Sequence, residues 1–215
     1  MRMRSRLYPS LTCLHFLARV SRFLTIGVDS LSSEYIFLVD RSGSMGGGRI
    51  NSVKAALQIL LRSLPSRNTT FNIVSFGSRH DSLWPTSQPY SAEAMETASK
   101  HVDGFSANYG GTEMRAAVEY AFKSRADAKN QNSTEKVPTS LFVLTDGEAW
   151  DLEGLVDCVS KNCEAAKTGG SLLRTFVLGV GNEVSTAMCD GIARAGRGTA
   201  VYVAVSSSPH QRDSD

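Results

Sequence analysis

Long apolar runs are missing from this 215-residue chain. The stretch Leu11 to Ala18 is interrupted by His15, bounded by Arg19 and too short to span a bilayer, so no transmembrane segment is expected. An excess of one charge is missing as well. The net charge of +2 excludes a general affinity for nucleic acid. Cysteine is scarce: Cys13, Cys158, Cys163 and Cys189. Cys158 and Cys163 stand five apart on a predicted helix, a spacing that does not share one face, and a zinc site would lack its other ligands. The thiols therefore read as free and buried, which points to a reducing compartment and a cytoplasmic location. The histidines (15, 80, 101 and 210) are scattered, and none stands beside a Ser or Cys as a catalytic pair. No internal repeat is present.

What is there supports one domain. An apolar content of 41% suffices for a proper core. Charge is unevenly placed: residues 1–28 hold five arginines and no acid, leaving 18 basic and 21 acidic residues in the remainder. Residues 1–30 are set apart as a basic tail; a remnant of a longer polypeptide, a mitochondrial presequence and a secretion signal all remain open for it. Residues 31–206 form the expected domain, and 207–215 a polar tail.

The most telling stretch is Tyr35 to Met45. Tyr35–Val39 is aromatic, β-branched and short, so it reads as a buried strand. Asp40, Ser42 and Ser44 follow in a polar loop, with Gly43 and Gly46-Gly47-Gly48 allowing sharp bends. Oxygen ligands with few carboxylates are what a small hard cation such as Mg2+ requires. Arg41 and Arg49 are the cationic neighbours. Turn and cap roles compete with this reading, and Ser44 could simply cap the next helix.

Two other segments strengthen the cation reading. Gly110-Gly111-Thr112-Glu113 opens a helical pattern with the Thr112 hydroxyl at its start, where capping is again the competing role. Leu141–Asp146 is a second apolar strand ending in an aspartate, followed by Gly147. In open α/β sheets ligands bind outside the carboxyl ends of the strands, so Asp40, Asp146 and Thr112 can converge on one edge.

Asp40-x-Ser42-x-Ser44, then Thr112, then Asp146 resembles the metal-ion-dependent adhesion site of von Willebrand factor type A domains, over roughly residues 34–205. The wording Phe37-Leu38-Val39-Asp40-Arg41-Ser42-Gly43-Ser44-Met45 is most similar to the inter-alpha-trypsin inhibitor heavy chain group and the von Willebrand factor A domain 5A type proteins. The resemblance implies a Rossmann-like fold. Ser42 and Ser44 would bind Mg2+ (or Mn2+ or Ca2+) directly, Thr112 directly or through water, and Asp40 and Asp146 mostly through waters. It also implies a protein partner that offers an Asp or Glu carboxylate as the remaining ligand, in a non-enzymatic adhesion or scaffold role. These domains usually end in a helix that covers the sheet; here Ser206-Ser207-Ser208-Pro209 leads into a charged tail, so that helix is expected to be missing.

The rest of the pattern alternates strand and helix. Helices are expected over 49–63, 91–102 with Ser91 as cap, from Thr112, over 154–167 and over 185–195. Strands are expected over 71–76, 82–85 at an edge, 174–180 and 199–205, with a polar linker at 127–138. The class is therefore α/β: a doubly wound, mostly parallel central sheet with helices on both faces. Trp150 could stand near the metal face or pack the following helix, and Glu148 could add a carboxylate or lie solvated. The alternative function is a metal-dependent hydrolase or nucleotide-binding protein, with Asp40 as nucleophile or Gly46–Gly48 as a phosphate cradle. Against it, the glycine loop lacks the Gly-Lys-[Ser/Thr] ending and no lysine lies in the site's segments.

Overall fold

The computed structural model describes residues 32–125, 136–147 and 151–205. Seven strands form one sheet: β1 (Ser33–Asp40), β2 (Thr69–Phe76), β3 (His80–Ser82), β4 (Gln88–Pro89), β5 (Thr139–Thr145), β6 (Leu173–Val180) and β7 (Ala200–Val203). Their spatial order is β3-β2-β1-β5-β6-β7, with β4 also on β2. The pairs β1–β2, β1–β5, β5–β6 and β6–β7 are parallel, and β3 and β4 run antiparallel to β2.

Central strands buried on both sides must be apolar on both sides. In β1, Tyr35, Phe37 and Val39 face one core and Ile36 and Leu38 the other. The first core is closed by α1 (Gly48–Arg62) and α2 (Ala92–Asp103). Phe37, Phe142 and Phe176 stack across its three adjacent strands, with ring centres 5.4 and 5.1 Å apart. The second core is closed by α3 (Met114–Lys123), α4 (Leu152–Thr168) and α5 (Thr186–Ala195). The expected doubly wound α/β sheet with helices on both faces is what forms. The chain winds outward from β1 to β2 and, on the other side, from β5 to β6 and β7. The strand order thus reverses between β1 and β5, where such sheets open a crevice at their carboxyl ends.

Several expectations shift. The edge strand predicted at 82–85 is instead His80–Ser82, followed by a turn and the short β4. Leu83 N still donates to the Ile73 carbonyl at 2.8 Å, but at Trp84 the Asn72 amide takes the place of the backbone: Nδ2 donates to the Trp84 carbonyl at 2.9 Å and Oδ1 accepts from Trp84 N at 3.3 Å. Asp151 caps α4 by accepting from Gly154 N, so that helix begins two residues earlier than its apolar pattern implies. The last strand spans four residues instead of seven. Ser91 caps α2 as expected, accepting from Ala94 N.

Cys158, Cys163 and Cys189 are free and buried. Although five apart, Cys158 and Cys163 both reach the second core, because α4 buries a wide face of Leu155, Cys158, Val159, Cys163 and Ala166. The 1–30 tail, Cys13, most of the 127–138 linker, Glu148, Trp150, the 207–215 tail and the position of a final helix lie outside the described residues. Among the described residues no helix is long and apolar enough to cross a membrane.

Candidate metal centre

The candidate residues gather at the β1–β5 crevice. Val39 pairs with Leu144, so Asp40 and Thr145 end adjacent strands and Asp146 follows at once. Asp40 is fully buried. Its Oδ1 accepts from Ser42 N at 2.9 Å and its Oδ2 accepts from the Thr145 hydroxyl at 2.6 Å. Burial pushes its carboxyl up to about 6; the hydrogen bonds from Ser42 and Thr145 oppose that shift, and the nearby Asp146 charge adds to it.

After Asp40 the backbone makes one 3-10 turn, Gly43–Met45, before α1. The turn places the Ser42 and Ser44 hydroxyls 3.0 Å apart. Neither performs the competing capping role: α1 has Gly47 at its N-cap position, and neither that cap nor Ser42, which precedes the 3-10 turn, shows a side-chain cap hydrogen bond.

The loop that carries Thr112 is tied to the Asp40 loop and to the Gly77–Ser78 turn. Gly43 N donates to the Gly110 carbonyl at 2.7 Å and Tyr109 N to the Arg41 carbonyl at 3.0 Å. Gly111 N donates to the Ser78 hydroxyl at 2.7 Å, and Glu113 N to the Gly77 carbonyl at 2.9 Å. Thr112, buried, sits between these anchors, ahead of α3; that helix begins at Met114 and has no side-chain cap. Gly110 has φ +79°, and a Cβ there would lie 2.8 Å from the Ser78 hydroxyl, so the loop needs glycine.

Asp146 is 4% exposed. Its Oδ2 faces Arg49 Nη1 at 3.5 Å, and its Oδ1 is buried with no hydrogen-bond partner among the described residues. A buried, unpartnered carboxylate oxygen is costly unless a cation or water satisfies it. Among the described residues no three His, Cys, Asp or Glu side chains gather as a metal cluster. A cation here would thus rest on Asp40 and Asp146 plus the hydroxyls of Ser42, Ser44 and Thr112, an all-oxygen donor set that suits a hard divalent ion.

The two arginines part company. Arg41 turns away from the centre. Its Nε donates to the Ser106 carbonyl at 3.1 Å, Nη1 to the Tyr109 hydroxyl at 3.2 Å and Nη2 to Asn108 Oδ1 at 3.0 Å. Its guanidinium also lies over the Phe105 and Tyr109 rings. Of the two, only Arg49 reaches a carboxylate of the candidate site, that of Asp146. Sequence reasoning gave no role to Thr145, the hydroxyl that orients Asp40; a buried threonine closing an otherwise apolar strand beside an aspartate was the available signal.

The profile of the von Willebrand factor type A domain matches residues 33–202. A von Willebrand factor A domain-containing protein of Dictyostelium discoideum is 37% identical over 176 residues, covering 81% of this chain and 17% of its own length. The mouse von Willebrand factor A domain-containing protein 5A is 36% identical over 179 residues, covering 79% of this chain and 21% of its own. The chain thus spans about a fifth of these relatives. A von Willebrand factor type A structure from Catenulispora acidiphila superposes with TM-score 0.65 at 18% identity, over 80% of this chain and 39% of that one. Proximal thread matrix protein 1 of the mussel byssus, solved with a zinc-occupied MIDAS motif, gives TM-score 0.58 at 17% identity, over 83% and 42%. At such identities these two structures show the shared fold alone.

Proposed function

Because this chain belongs to the von Willebrand factor type A domain family, a family of protein-interaction modules, we propose that it binds a partner protein through a divalent cation held by Asp40, Ser42, Ser44, Thr112 and Asp146. The observation that carries this reading is Asp146 Oδ1, a buried carboxylate oxygen without a partner among the described residues, beside a second buried carboxylate and a pair of hydroxyls. The zinc-occupied motif of the mussel protein supports a divalent ion; Mg2+ is the ion proposed for this chain, with Mn2+ and Ca2+ as substitutes.

When bound, the ion supplies an electrophilic position for an Asp or Glu carboxylate of the partner. The chain's own residues prepare it. Thr145 and Ser42 N hold both Asp40 oxygens, fixing the carboxylate and offsetting part of the cost of charging it where it is buried. The 3-10 turn presents Ser42 and Ser44 as neutral donors, so the two carboxylates alone supply the site's negative charge. The Gly43–Gly110 backbone bond holds the Thr112 loop against that turn.

The role is read as non-enzymatic. Asp40, the nucleophile the hydrolase alternative would need, is fully buried and held in place by a hydrogen bond at each oxygen, and the Gly46–Gly48 loop lacks the Gly-Lys-[Ser/Thr] ending of a phosphate cradle. Thermal unfolding of the chain with Mg2+ and with EDTA tests the proposal, beside Asp40→Ala and Ser42→Ala. A ligand that binds only the folded state raises the midpoint. Stabilisation of wild type but not the variants is expected; no response to millimolar Mg2+ or Mn2+ sinks the reading. Release of phosphate from a generic phosphoester by pure protein, lost in Asp40→Ala, would instead revive the hydrolase.

A further inference from the structure

Arg49 occupies an unfavourable place for a cation. It is the second residue of α1, where the positive end of the helix dipole disfavours added positive charge. The surroundings nonetheless fit its side chain. Gly181, with φ +125°, lies against its stem, where a Cβ would come within 3.0 Å of Nε. Nη1 donates to the Ser44 carbonyl at 2.8 Å and stands 3.5 Å from Asp146 Oδ2, while Nη2 reaches Glu183 Oε2 at 3.4 Å. The guanidinium therefore touches the serine turn and the second aspartate together. It engages one Asp146 oxygen and leaves the other without a partner among the described residues.

We infer that Arg49 is the resident cation of the metal-free centre: it neutralises Asp146 when no metal is bound, stabilises that state, and lowers the affinity for a divalent ion. The inference rests on the cation site proposed above. Two buried carboxylates alone would hold a doubly charged ion tightly. A fixed positive charge beside one of them opposes the ion's approach at short range, where salt screens little. The same charge leaves the loaded centre more positive, and so more attractive to an incoming carboxylate. A charged side chain and a metal that compete for one carboxylate are linked reciprocally: whatever weakens the arginine's hold strengthens the metal's.

The test is calorimetric titration of the 215-residue chain with MnCl2, together with thermal unfolding in EDTA, for wild type, Arg49→Gln and Arg49→Lys. Arg49→Gln is expected to bind Mn2+ about tenfold more tightly, within the usual range of coupling between two ligands, and to melt lower in EDTA. Arg49→Lys keeps the charge and is expected to keep wild-type affinity. Equal or weaker Mn2+ binding by Arg49→Gln overturns the inference while leaving the cation site standing. Absence of Mn2+ binding in wild type and Arg49→Gln alike overturns both. Should Arg49→Gln be folded only with Mn2+ present, the metal-free state depends on Arg49 as inferred; if it is unfolded in Mn2+ and EDTA alike, Arg49 is purely structural and the inference fails.

Discussion

The Thr145 hydroxyl donates to Asp40 Oδ2 across the β1–β5 seam at 2.6 Å while accepting from Gly147 N at 3.1 Å. One side chain thus orients the first aspartate of the centre and shapes the turn that follows the second. Gly147 has φ +85°, and a Cβ there would lie 2.8 Å from Ser185 N, so that turn is locked against the start of α5. Replacing Thr145 with valine keeps the shape and leaves a buried carboxylate oxygen without its donor. Thr145→Val should lose about 1–3 kcal/mol, as for other buried polar groups stripped of a partner. Thr145→Ser should retain most of it. Urea unfolding with an unchanged slope is the measurement.

Asp40 makes stability depend on pH. Its unfolded value is near 3.8 and its folded value is raised to about 6, chiefly by burial. The folded state therefore holds the proton more tightly, and the contribution is fully present below pH 3.8 and lost as pH rises through about 6. In EDTA, the urea midpoint of wild type should carry a falling component between about pH 4 and 6.5 that Asp40→Asn lacks. Cation affinity should move the other way and rise over the same window, since the metal requires the ionised carboxylate. An identical pH profile for wild type and Asp40→Asn would refute the assignment.

The strand-end aspartates were legible in the sequence because two short apolar runs each close in Asp, and the alternation of such runs with helical patterns pointed to a mostly parallel sheet. Ser42, Ser44 and Thr112 were legible only as a pattern, since each alone reads as a cap. The division of labour between Arg41 and Arg49 was not. Both flank the motif within nine residues, yet one stacks on Phe105 and Tyr109 and the other meets Asp146. Those partners lie more than sixty residues away along the chain, and no local period encodes them. The edge strand failed for a similar reason: the Asn72 side chain imitates backbone, a substitution that strand propensity cannot express.

Arg41 should behave as a clamp on the loop that carries Thr112. Its fork spans Ser106, Asn108 and Tyr109, and a lysine offers one point of contact where the guanidinium offers three. Arg41→Lys should lose about 1–2 kcal/mol, the worth of one or two lost hydrogen bonds. The Tyr109 and Gly111 amides, bonded to the Arg41 carbonyl and the Ser78 hydroxyl, should exchange faster with solvent while amides in the centre of β5 stay protected. Uniform acceleration across the sheet would mean that Arg41 supports the whole fold and has no special role at the loop.

The thiols offer a way to watch the second core open. Burial pushes Cys163 up to about 11 and Cys189 up to about 12. At pH 8 only about one Cys163 in a thousand is thiolate, and alkylation depends on that form. In a Cys13→Ser background the native chain should resist iodoacetamide and react promptly in denaturant. Cys189 lies on α5, whose capping residue Ser185 backs the Gly147 turn beside Asp146. A cation that binds Asp146 in the folded state lowers the population of any opening that disrupts this turn. Mg2+ should therefore slow Cys189 labelling by the factor that its effect on the unfolding midpoint implies. Slower unfolding with unchanged Cys189 labelling would mean that α5 detaches on its own, leaving the Asp40–Thr145–Asp146 edge intact.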